Sequence, residues 1–330
     1  MTQEKPRIWV LLGSRLGDNN QLLALAEALG MPFETRTLTY RRSWALLLNL
    51  LPKRPHLLTS RARHAFEPPW PDLILGIGRR SVAVSRWIRK RSGKRAKIVR
   101  VGNPRAANRL FDLVITTNQY PVPDDENVLR LPVAMGRHTK PPQPTEAESE
   151  WLNSLPRPLL LLAVGGTTRY WQLPGGGLVE AVRRLADRSK AADGSLVVVT
   201  SPRTPAWAVK AIRDSGASCR VVADGSVRYS VLLANADENF VTADSVSMIS
   251  EAVLTGNPVG LIPVELDREG LRRLGENGFS DDRRDLRRFW ADLEANGLVG
   301  TVDEPARGKV EDPVKLAAAA VRQLLGDGVE

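Results

Sequence analysis

Residues 238–265 constrain the fold of this chain more than any other segment. An apolar run leads into the polar turn Thr-Ala-Asp-Ser at 242–245, and a second apolar run follows at 259–264. Between the two runs, apolar side chains recur at the spacing of one buried helix face: Val246, Ile249, Ala252 and Val253. Gly256 and Pro258 end this helix. A unit of strand, turn, helix and strand places its turn at the carboxyl edge of a parallel sheet, where ligands bind.

The polar turn offers groups that suit a nucleotide. Backbone N–H groups from Ser245 to Ser247, at a helix N-terminus and beside two hydroxyls, suit a diphosphate. One turn further on, Glu251 can accept two hydrogen bonds from a vicinal diol such as a ribose. A second interpretation stays open from the residue types alone: Asp244 or Ser245 caps the helix, and Glu251 is solvated.

The same alternation of strands and helices runs through most of the chain. Further strands are predicted at 8–12, 34–40, 71–77, 97–101, 111–116, 159–164, 196–200 and 219–222. Helical patterns lie between them, which is typical of doubly wound parallel sheets. A Pro-rich polar segment at 137–150 separates the two halves. We therefore expect an α/β protein with an N-terminal domain at 1–140 and a C-terminal domain at 151–330, the latter including a last helix at 312–325.

The amino-acid composition indicates a cellular location and a class of partner for this chain. The 330 residues contain one cysteine, Cys219, so no internal disulfide can form. The pattern of a signal peptide is missing and no run of about 18 apolar residues occurs, which predicts a cytoplasmic location. The net charge of +10 is uneven, because residues 1–150 carry 25 Lys+Arg against 13 Asp+Glu while 151–330 carry 22 against 24. The basic N-terminal half predicts an anionic partner.

Two observations indicate which anionic partner the N-terminal half prefers. Nucleic acid is disfavoured, because the basic region has no recognisable nucleic-acid-binding motif and few aromatic residues for stacking bases. The apolar segment 44–51 lies between Arg41-Arg42 and Lys53-Arg54, which is typical of a helix that lies on an anionic membrane. It is too short to span a bilayer. The alternative for this segment is an ordinary buried helix with charged ends.

The first predicted strand, 8–12, leads into a glycine-containing loop that carries Asp18. The loop is not G-x-G-x-x-G, and strand 34–40 ends in Tyr-Arg-Arg rather than in an acid, so a dinucleotide-dependent dehydrogenase is disfavoured. A carboxylate at the tip of such a loop can serve as a general base. The alternative is that Asp18 is the N-cap of the helix that follows.

Several other turns carry polar groups at predicted strand ends. Arg79 opens a helix after strand 71–77, and two arginines there favour an anion site. Gly165-Gly166-Thr167 and Arg203-Thr204 follow two strands of the second half. Because these two turns and the turn at Ser245 all follow strands of one parallel sheet, we expect them to meet at one edge. The glycines at 175–177 form either a flexible tract that closes over a ligand or a simple loop.

Residues 244–259, Asp-Ser-x-Ser-Met-x-Ser-Glu-Ala-x-x-Thr-Gly-x-Pro-Val, resemble the signature of the elongated-mitochondria, or mitochondrial fission, family. The resemblance continues at 17–21, 71–80, 162–166 and 200–205. That family is similar to GT-B glycosyltransferases, in which two Rossmann-like domains face each other across a cleft. The surroundings of Glu251 also resemble the nucleotide-sugar loop of the transferase that makes lipid II, where the matching Glu holds the ribose. The family commonly carries a His where this chain has Asp18.

The resemblance implies a metal-independent glycosyltransferase that moves a sugar from a nucleoside-diphosphate sugar to a glycolipid, or a similar envelope acceptor, at the inner face of the cytoplasmic membrane. Asp18 would deprotonate the acceptor. The implied substrate-binding residues are Gly17, Asn20, Gln21, Arg79, Gly165, Gly166, Thr167, Arg203, Thr204, Asp244, Ser245, Ser247 and Glu251. No metal or cofactor is expected beside the donor, whose leaving group backbone dipoles and arginines would stabilise. A nucleotide-sugar epimerase of the same architecture and a non-catalytic membrane or fission-type partner remain alternatives.

Overall fold

The structure is a computed structural model that describes residues 5–40, 59, 64–136 and 142–326. It divides into two compact units, one formed by Met1–Arg137 with Glu311–Glu330 and the other by His138–Val310. Helices and strands are numbered below in chain order over the described residues.

The predicted membrane-surface segment at 44–51 lies outside the described residues, as do the basic residues on either side of it. Among the helices that are described, none is both long and apolar enough to cross a bilayer.

The N-terminal unit is built on a six-stranded parallel sheet. Its elements are β1 (Ile8–Leu12), α1 (Leu16–Ala28), β2 (Phe33–Thr37), β3 (Leu73–Ile77), α2 (Gly78–Arg91), β4 (Lys97–Val101), β5 (Leu113–Thr117) and β6 (Val128–Leu131). The strand order is β2-β1-β3-β4-β5-β6, so the chain reverses its direction of progress between β1 and β3. Open α/β sheets bind ligands at such a switch point, beyond the carboxyl ends of the strands.

Both faces of this sheet are covered, which explains why its inner strands are apolar at nearly every position. On one face Val10 and Leu75 pack with Leu25 of α1. On the other face Ile74 packs with Ile88 of α2. Successive residues of a strand point to opposite faces, so each strand contributes to both layers of the core.

The C-terminal unit is built on a five-stranded parallel sheet. Its elements are α3 (Glu146–Asn153), β7 (Leu159–Val164), β8 (Trp171–Gln172), α4 (Gly175–Ala191), β9 (Ser195–Thr200), α5 (Ala206–Arg213), β10 (Arg220–Val222), α6 (Tyr229–Asn235), β11 (Glu238–Thr242), α7 (Val246–Leu254), β12 (Val259–Ile262), β13 (Glu265–Leu266), α8 (Arg268–Leu274) and α9 (Leu286–Ala295). The sheet order is β10-β9-β7-β11-β12, and its switch point lies between β7 and β11. Strands β8 and β13 form a separate antiparallel ribbon.

The last helix, α10 (Pro313–Leu325), belongs to the N-terminal unit. Val314, Ala317 and Val321 are buried in the same core cluster as α1. The prediction that this helix is part of a C-terminal domain at 151–330 is therefore wrong. Its apolar stripe is visible in the sequence, but the stripe does not reveal which of the two sheets it covers.

Two predicted irregular segments are helical. The Pro-rich segment 137–150 contains the start of α3, where Thr145 and Glu148 form a reciprocal capping box. The glycines at 175–177 form the first turn of α4 instead of a flexible tract, directly after Pro174 in the N-cap position. Strand β2 ends at Thr37 and is shorter than predicted. The alternation of parallel strands and helices in two units agrees with the predicted fold class.

Candidate functional site

Asp244 joins the three turns that follow β7, β9 and β11. Its side chain is fully buried, and its Oδ2 accepts a hydrogen bond from the N–H of Gly166 at 3.0 Å. Its Oδ1 accepts a hydrogen bond from the hydroxyl of Thr242 at 2.7 Å, and Nη2 of Arg203 lies 3.4 Å from Oδ2. Burial raises the pKa of Asp244, while the hydrogen bonds from Gly166 and Thr242 oppose this shift. The three turns therefore meet at one sheet edge, as their positions after parallel strands predict.

Two threonines complete this arrangement. Oγ1 of Thr242 accepts from the N–H of Gly165 at 2.8 Å. The hydroxyl of Thr204 lies 2.6 Å from the carbonyl oxygen of Gly165, and its Oγ1 accepts from the N–H of Ser201 at 2.9 Å. Thr204 therefore holds the turn after β9 against the turn after β7, which is a positioning role within the protein.

The glycines at this edge are required by close approach. A Cβ on Gly165 would lie 2.3 Å from Oδ1 of Asp244, and a Cβ on Gly166 would lie 2.1 Å from the carbonyl oxygen of Arg203. Real side chains do not tolerate contacts this short, so the packing of the three turns depends on glycine at both positions.

The hydrogen bonds decide which predicted groups remain available to a ligand. The N–H groups of Gly165 and Gly166 are both used inside the protein, so they do not fit the predicted contact with a diphosphate. Thr167 is exposed, and no hydrogen bond engages it within the described part of the chain. Ser247 is also exposed, at the second position of α7. These two residues keep the donors expected of a phosphate-binding turn.

Ser245 and Asp244 have different roles. Ser245 is the N-cap of α7, and its side chain accepts from the N–H of Met248 at 3.5 Å. Asp244 is not a cap, because its Oδ2 binds the turn after β7 and its Oδ1 binds Thr242 at the end of β11. The capping interpretation therefore holds for Ser245 and is wrong for Asp244.

Arg203 places a positive charge at the same edge. Its side chain is 47% exposed, and its guanidinium reaches Asp244 only at 3.4 Å. An exposed guanidinium beside the start of α7 increases the attraction of this edge for an anion.

Glu251 lies one helical turn behind Ser247, on the same face of α7. It is half-buried, and burial raises the pKa of its carboxyl to about 7. No hydrogen bond to this carboxyl occurs among the described residues. Glu251 is thus partly shielded from solvent, which disfavours its interpretation as an ordinary solvated side chain.

Tyr229 of α6 packs beside α7 near Glu251. Its hydroxyl donates to the carbonyl oxygen of Met248 at 3.4 Å. Burial raises the pKa of Tyr229 well above its ordinary value, and the nearby Glu251 adds to this effect. Tyr229 is thus an uncharged, buried side chain beside the carboxyl of Glu251.

Two tryptophans support the turn from another side. Nε1 of Trp290, in α9, donates to the carbonyl oxygen of Ala243 at 3.0 Å. Its ring meets that of Trp171 edge-to-face, with the ring centroids 4.8 Å apart. The sequence analysis missed this support, because helix α9 was not predicted and lies far along the chain from the turn.

The N-terminal unit has its own polar edge at the β1/β3 switch point. Helix α1 begins at Leu16, its N-cap residue is Arg15, and Asp18 lies inside the first turn. The interpretation of Asp18 as an N-cap is therefore wrong. The side chain of Asn19 closes the loop before α1, since it accepts from the N–H of Gly13 at 2.9 Å and donates to the Gly13 carbonyl at 3.0 Å.

The other predicted residues of this unit lie at the same edge. Gly17, Asn20 and Gln21 are all helical, within α1. Arg79 is exposed at the second position of α2. A Cβ on Gly78, the first residue of α2, would lie 3.9 Å from Oδ2 of Asp18, so the carboxylate stands close to the start of that helix. In the described part of the chain, no three His, Cys, Asp or Glu side chains are arranged to hold a metal ion.

Comparisons with known sequences identify relatives over most of the chain. A family model described as Mitochondrial fission ELM1 matches residues 16–325. The mitochondrial fission protein ELM1 of Arabidopsis thaliana is 28% identical over 236 residues, which cover 62% of this chain and 54% of that protein. The uncharacterized protein RP120 of Rickettsia prowazekii (strain Madrid E) is 29% identical over 109 residues, which cover 33% of this chain and 30% of that protein. The chain thus spans about half the length of the Arabidopsis relative, or less in the Rickettsia case.

Comparisons with solved structures identify the fold. A putative UDP-N-acetylglucosamine 2-epimerase from Listeria monocytogenes has a TM-score of 0.56 and 15% identity, covering 98% of this chain and 97% of its own. S. aureus MnaA in a co-structure with UDP has a TM-score of 0.54 and 15% identity, covering 98% of both chains. UDP-GlcNAc 2-epimerase from Methanocaldococcus jannaschii has a TM-score of 0.52 and 12% identity, covering 97% of this chain and 99% of its own. The GT-B-like fold predicted from the resemblance is confirmed.

Proposed function

The chain belongs to the mitochondrial fission ELM1 family, and we propose that its C-terminal unit binds a nucleoside-diphosphate sugar whose sugar is transferred to an acceptor. The similar solved structures include one with UDP and others named for UDP-GlcNAc, which makes uridine the first base to test. For this chain the proposal is supported by its own residues at the β7/β11 switch point.

The observation that carries the proposal is the unused carboxyl of Glu251. Half-buried carboxyls without hydrogen bonds are costly, because neither water nor protein compensates their charge fully. A ribose offers two adjacent hydroxyl donors that match the two oxygens of a carboxylate. Because burial raises the pKa of Glu251 to about 7, a bound diol would stabilise the ionised form and lower that pKa.

The diphosphate would lie one turn closer to the start of α7. Thr167 and Ser247 are exposed there, and Arg203 is half-exposed beside them. Backbone dipoles and a guanidinium together compensate the charge that develops on a leaving diphosphate. We therefore propose that transfer needs no metal and no cofactor, and that turnover persists in EDTA.

Asp18 is the proposed general base of the N-terminal unit. It stands at the switch point of its own sheet, where ligands of α/β proteins bind. A carboxylate there can take the proton of an acceptor hydroxyl as that oxygen attacks the sugar.

The proposed acceptor is lipid-linked, at the inner face of the cytoplasmic membrane. Residues 1–150 carry 25 Lys+Arg against 13 Asp+Glu, which favours an anionic surface. Sedimentation with anionic and neutral vesicles at low and high salt tests this part, and equal sedimentation with both vesicle types would exclude it.

Thermal unfolding with UDP-, GDP-, ADP- and CMP-sugars tests the donor site. We expect one nucleotide series to raise Tm by several degrees at saturation, because a ligand that binds only the folded state stabilises it. The products formed from that nucleotide sugar then distinguish a transferase from an epimerase. Transfer releases a nucleoside diphosphate only when an acceptor is present, whereas an epimerase interconverts nucleotide sugars without an acceptor. If none of the four series raises Tm, the proposal of a donor site is wrong and the non-catalytic partner is favoured.

A further inference from the structure

Arg100 is a buried cation in the centre of the N-terminal sheet. It lies in β4, is 1% exposed, and is among the largest fully buried side chains of the protein. Its Nη1 donates to Oγ of Ser81 at 2.5 Å. Its Nε and Nη2 have no hydrogen-bond partner among the described residues. A buried guanidinium that uses one of its nitrogens is unusual, because each unmet donor is costly.

Nearby charges do not satisfy this guanidinium. Burial lowers the pKa of Arg100 to about 10, while the electrostatic influence of Asp18 and Tyr120 opposes the shift. The side chain therefore stays protonated at neutral pH. Another arginine of the unit, Arg89, shows the usual solution, because its guanidinium pairs with Asp112 at 3.0 Å. Within the described chain, no comparable ion pair engages Arg100.

The guanidinium of Arg100 contacts the first turn of α2 through Nη1. Ser81, the partner of Nη1, is the fourth residue of that helix, and its hydroxyl lies 2.9 Å from the carbonyl oxygen of Ile77. Ile77 occupies the N-cap position and has no polar side chain with which to cap the helix. A helix of 14 residues without a side-chain cap presents N–H groups and a positive dipole end at its N-terminus. The dipole end and the buried guanidinium thus lie together, on the β4 side of the β1/β3 switch point.

Two glycines lie where the chain leaves β3 and β4. Gly78 and Gly102 have φ values of +70° and +74°, a conformation that other residues rarely adopt. The ring of Tyr120 lies 3.9 Å from the position of a Cβ on Gly102 and is half-exposed. Tyr120 therefore lies beside the turn that follows β4 and close enough to Arg100 to influence it electrostatically.

We propose that the β1/β3 edge binds a phosphate-type oxyanion between the start of α2 and Arg100, with Nε and Nη2 of Arg100 as donors. The side chain of Tyr120 moves to admit the ligand. A planar guanidinium matches two phosphate oxygens, and a helix start supplies further donors. The inference does not depend on nucleotide-sugar binding, because it concerns the other unit and needs no donor.

The test compares three full-length variants with the parent by thermal unfolding in inorganic phosphate, in pyrophosphate and in chloride of equal ionic strength. Arg100→Met removes the buried cation. Arg86→Met removes an exposed cation from the same helix, α2. Arg203→Met removes the cation of the proposed donor site, so that phosphate bound there is recognised separately.

We expect phosphate or pyrophosphate to raise the Tm of the parent, the Arg86 variant and the Arg203 variant by several degrees. Arg100→Met should lose this rise while its Tm in chloride stays equal to that of the parent or exceeds it, because replacing an uncompensated buried charge by an apolar side chain is often stabilising. If Arg100→Met keeps the rise, or if neither anion stabilises the parent, the proposal is wrong.

Two further arms complete the test. Should Arg100→Met fail to fold, Arg100→Lys keeps the charge without the planar fork, and its apparent affinity for pyrophosphate should fall at least tenfold. Vesicles containing phosphatidic acid identify the source of the phosphate. Sedimentation that depends on Arg100 assigns the site to a lipid headgroup, whereas a Tm rise in free anions alone assigns it to a soluble phosphate ligand. Parent-like affinity in the Lys variant would contradict the proposed donors.

Discussion

The two sheet edges of this chain place opposite charges at equivalent points of their topology. At the β7/β11 switch point, Glu251 is half-buried and accepts no hydrogen bond within the described residues. Beside the β1/β3 switch point, Arg100 of β4 is fully buried, and two of its nitrogens donate no hydrogen bond within the described residues. An unused acceptor suits hydroxyl groups, and an unused donor suits an oxyanion. The comparison indicates that the two units are built for chemically different ligand groups.

The edges also differ in how firmly their turns are held. Asp244, in the turn after β11, binds the N–H of Gly166 and the guanidinium of Arg203, so three turns of the C-terminal unit are joined through one side chain. In the N-terminal unit, Asn19 closes only its own loop, through two bonds to Gly13. We infer that the C-terminal edge is the preformed one.

The largest effect is expected from Asp18→Asn. If the N-terminal edge performs the chemistry and the C-terminal edge only holds the donor, turnover should fall about 10²–10⁴-fold, which is the usual contribution of a general base. Donor affinity should not change, because Asp18 belongs to the other unit. Steady-state kinetics and calorimetric titration with the donor measure both quantities. Parent-like turnover would remove Asp18 from the mechanism.

Gly166→Ala tests how rigid the C-terminal edge is. The new Cβ would lie 2.1 Å from the backbone of Arg203, so we expect a loss of about 3 kcal/mol or more in the free energy of unfolding. Gly176→Ala is the matched control, because its Cβ meets nothing within 4 Å and it lies in the helix α4. The control should be neutral or stabilising by up to about 1 kcal/mol. Urea unfolding that shows equal stability for both variants would mean that the three turns are not packed as described.

Glu251→Gln tests the cost of the unused carboxyl. Burial raises its pKa from an ordinary 4.5 to about 7, so the folded protein holds the proton more tightly than the unfolded chain. The stability contributed by this proton is present below pH 4.5 and is lost as pH rises through about 7. Relative to the parent, Glu251→Gln should therefore gain about 1–3 kcal/mol between pH 5 and pH 8. Urea unfolding at both pH values measures the gain, and Glu180→Gln, an exposed helical site, should show none.

Arg203→Met tests which part of the donor this guanidinium contacts. Loss of a charge-assisted hydrogen bond costs about 1.5–3 kcal/mol, so affinity for the nucleoside diphosphate should fall at least about tenfold. Affinity for the nucleoside alone should not change. Arg213→Met, at an exposed position of α5, serves as the control in the same titration. A similar loss for nucleoside and diphosphate would place Arg203 away from the phosphates.

The sequence predicts local features of this molecule well and long-range ones poorly. The turn at 242–245 and the helix after it are predictable, because the polar turn, the helical spacing of apolar residues and Gly256 all lie within one short segment. The position of α10 is not predictable, because its stripe of Val314, Ala317 and Val321 fits either sheet. The hydrogen bond from Trp290 to Ala243 spans 47 positions of the chain, and no local pattern indicates it.

The same contrast between local and long-range features applies to the Glu251 carboxyl and the Arg100 guanidinium. Glu251 can be proposed as a ribose-binding residue from the sequence, because the helix fixes its distance from the polar turn. Arg100 is visible in the sequence as a charged residue of a predicted strand, but only the structure reveals that two of its nitrogens lack partners among the described residues. Whether a buried charge has a partner depends on the tertiary structure around it, so the sequence pattern does not indicate it.

Calorimetric titration with a nucleotide sugar and with its 2′-deoxy analogue, in the parent and in Glu251→Gln, tests the central claim most directly. The parent should bind the ribose compound about tenfold or more tightly than the deoxy compound, since a lost bond to a charged group costs at least about 1.5 kcal/mol. Glu251→Gln should bind the two compounds nearly equally, and Glu180→Gln should match the parent. If the parent does not distinguish the two compounds, or if Glu251→Gln distinguishes them as the parent does, Glu251 does not hold the ribose.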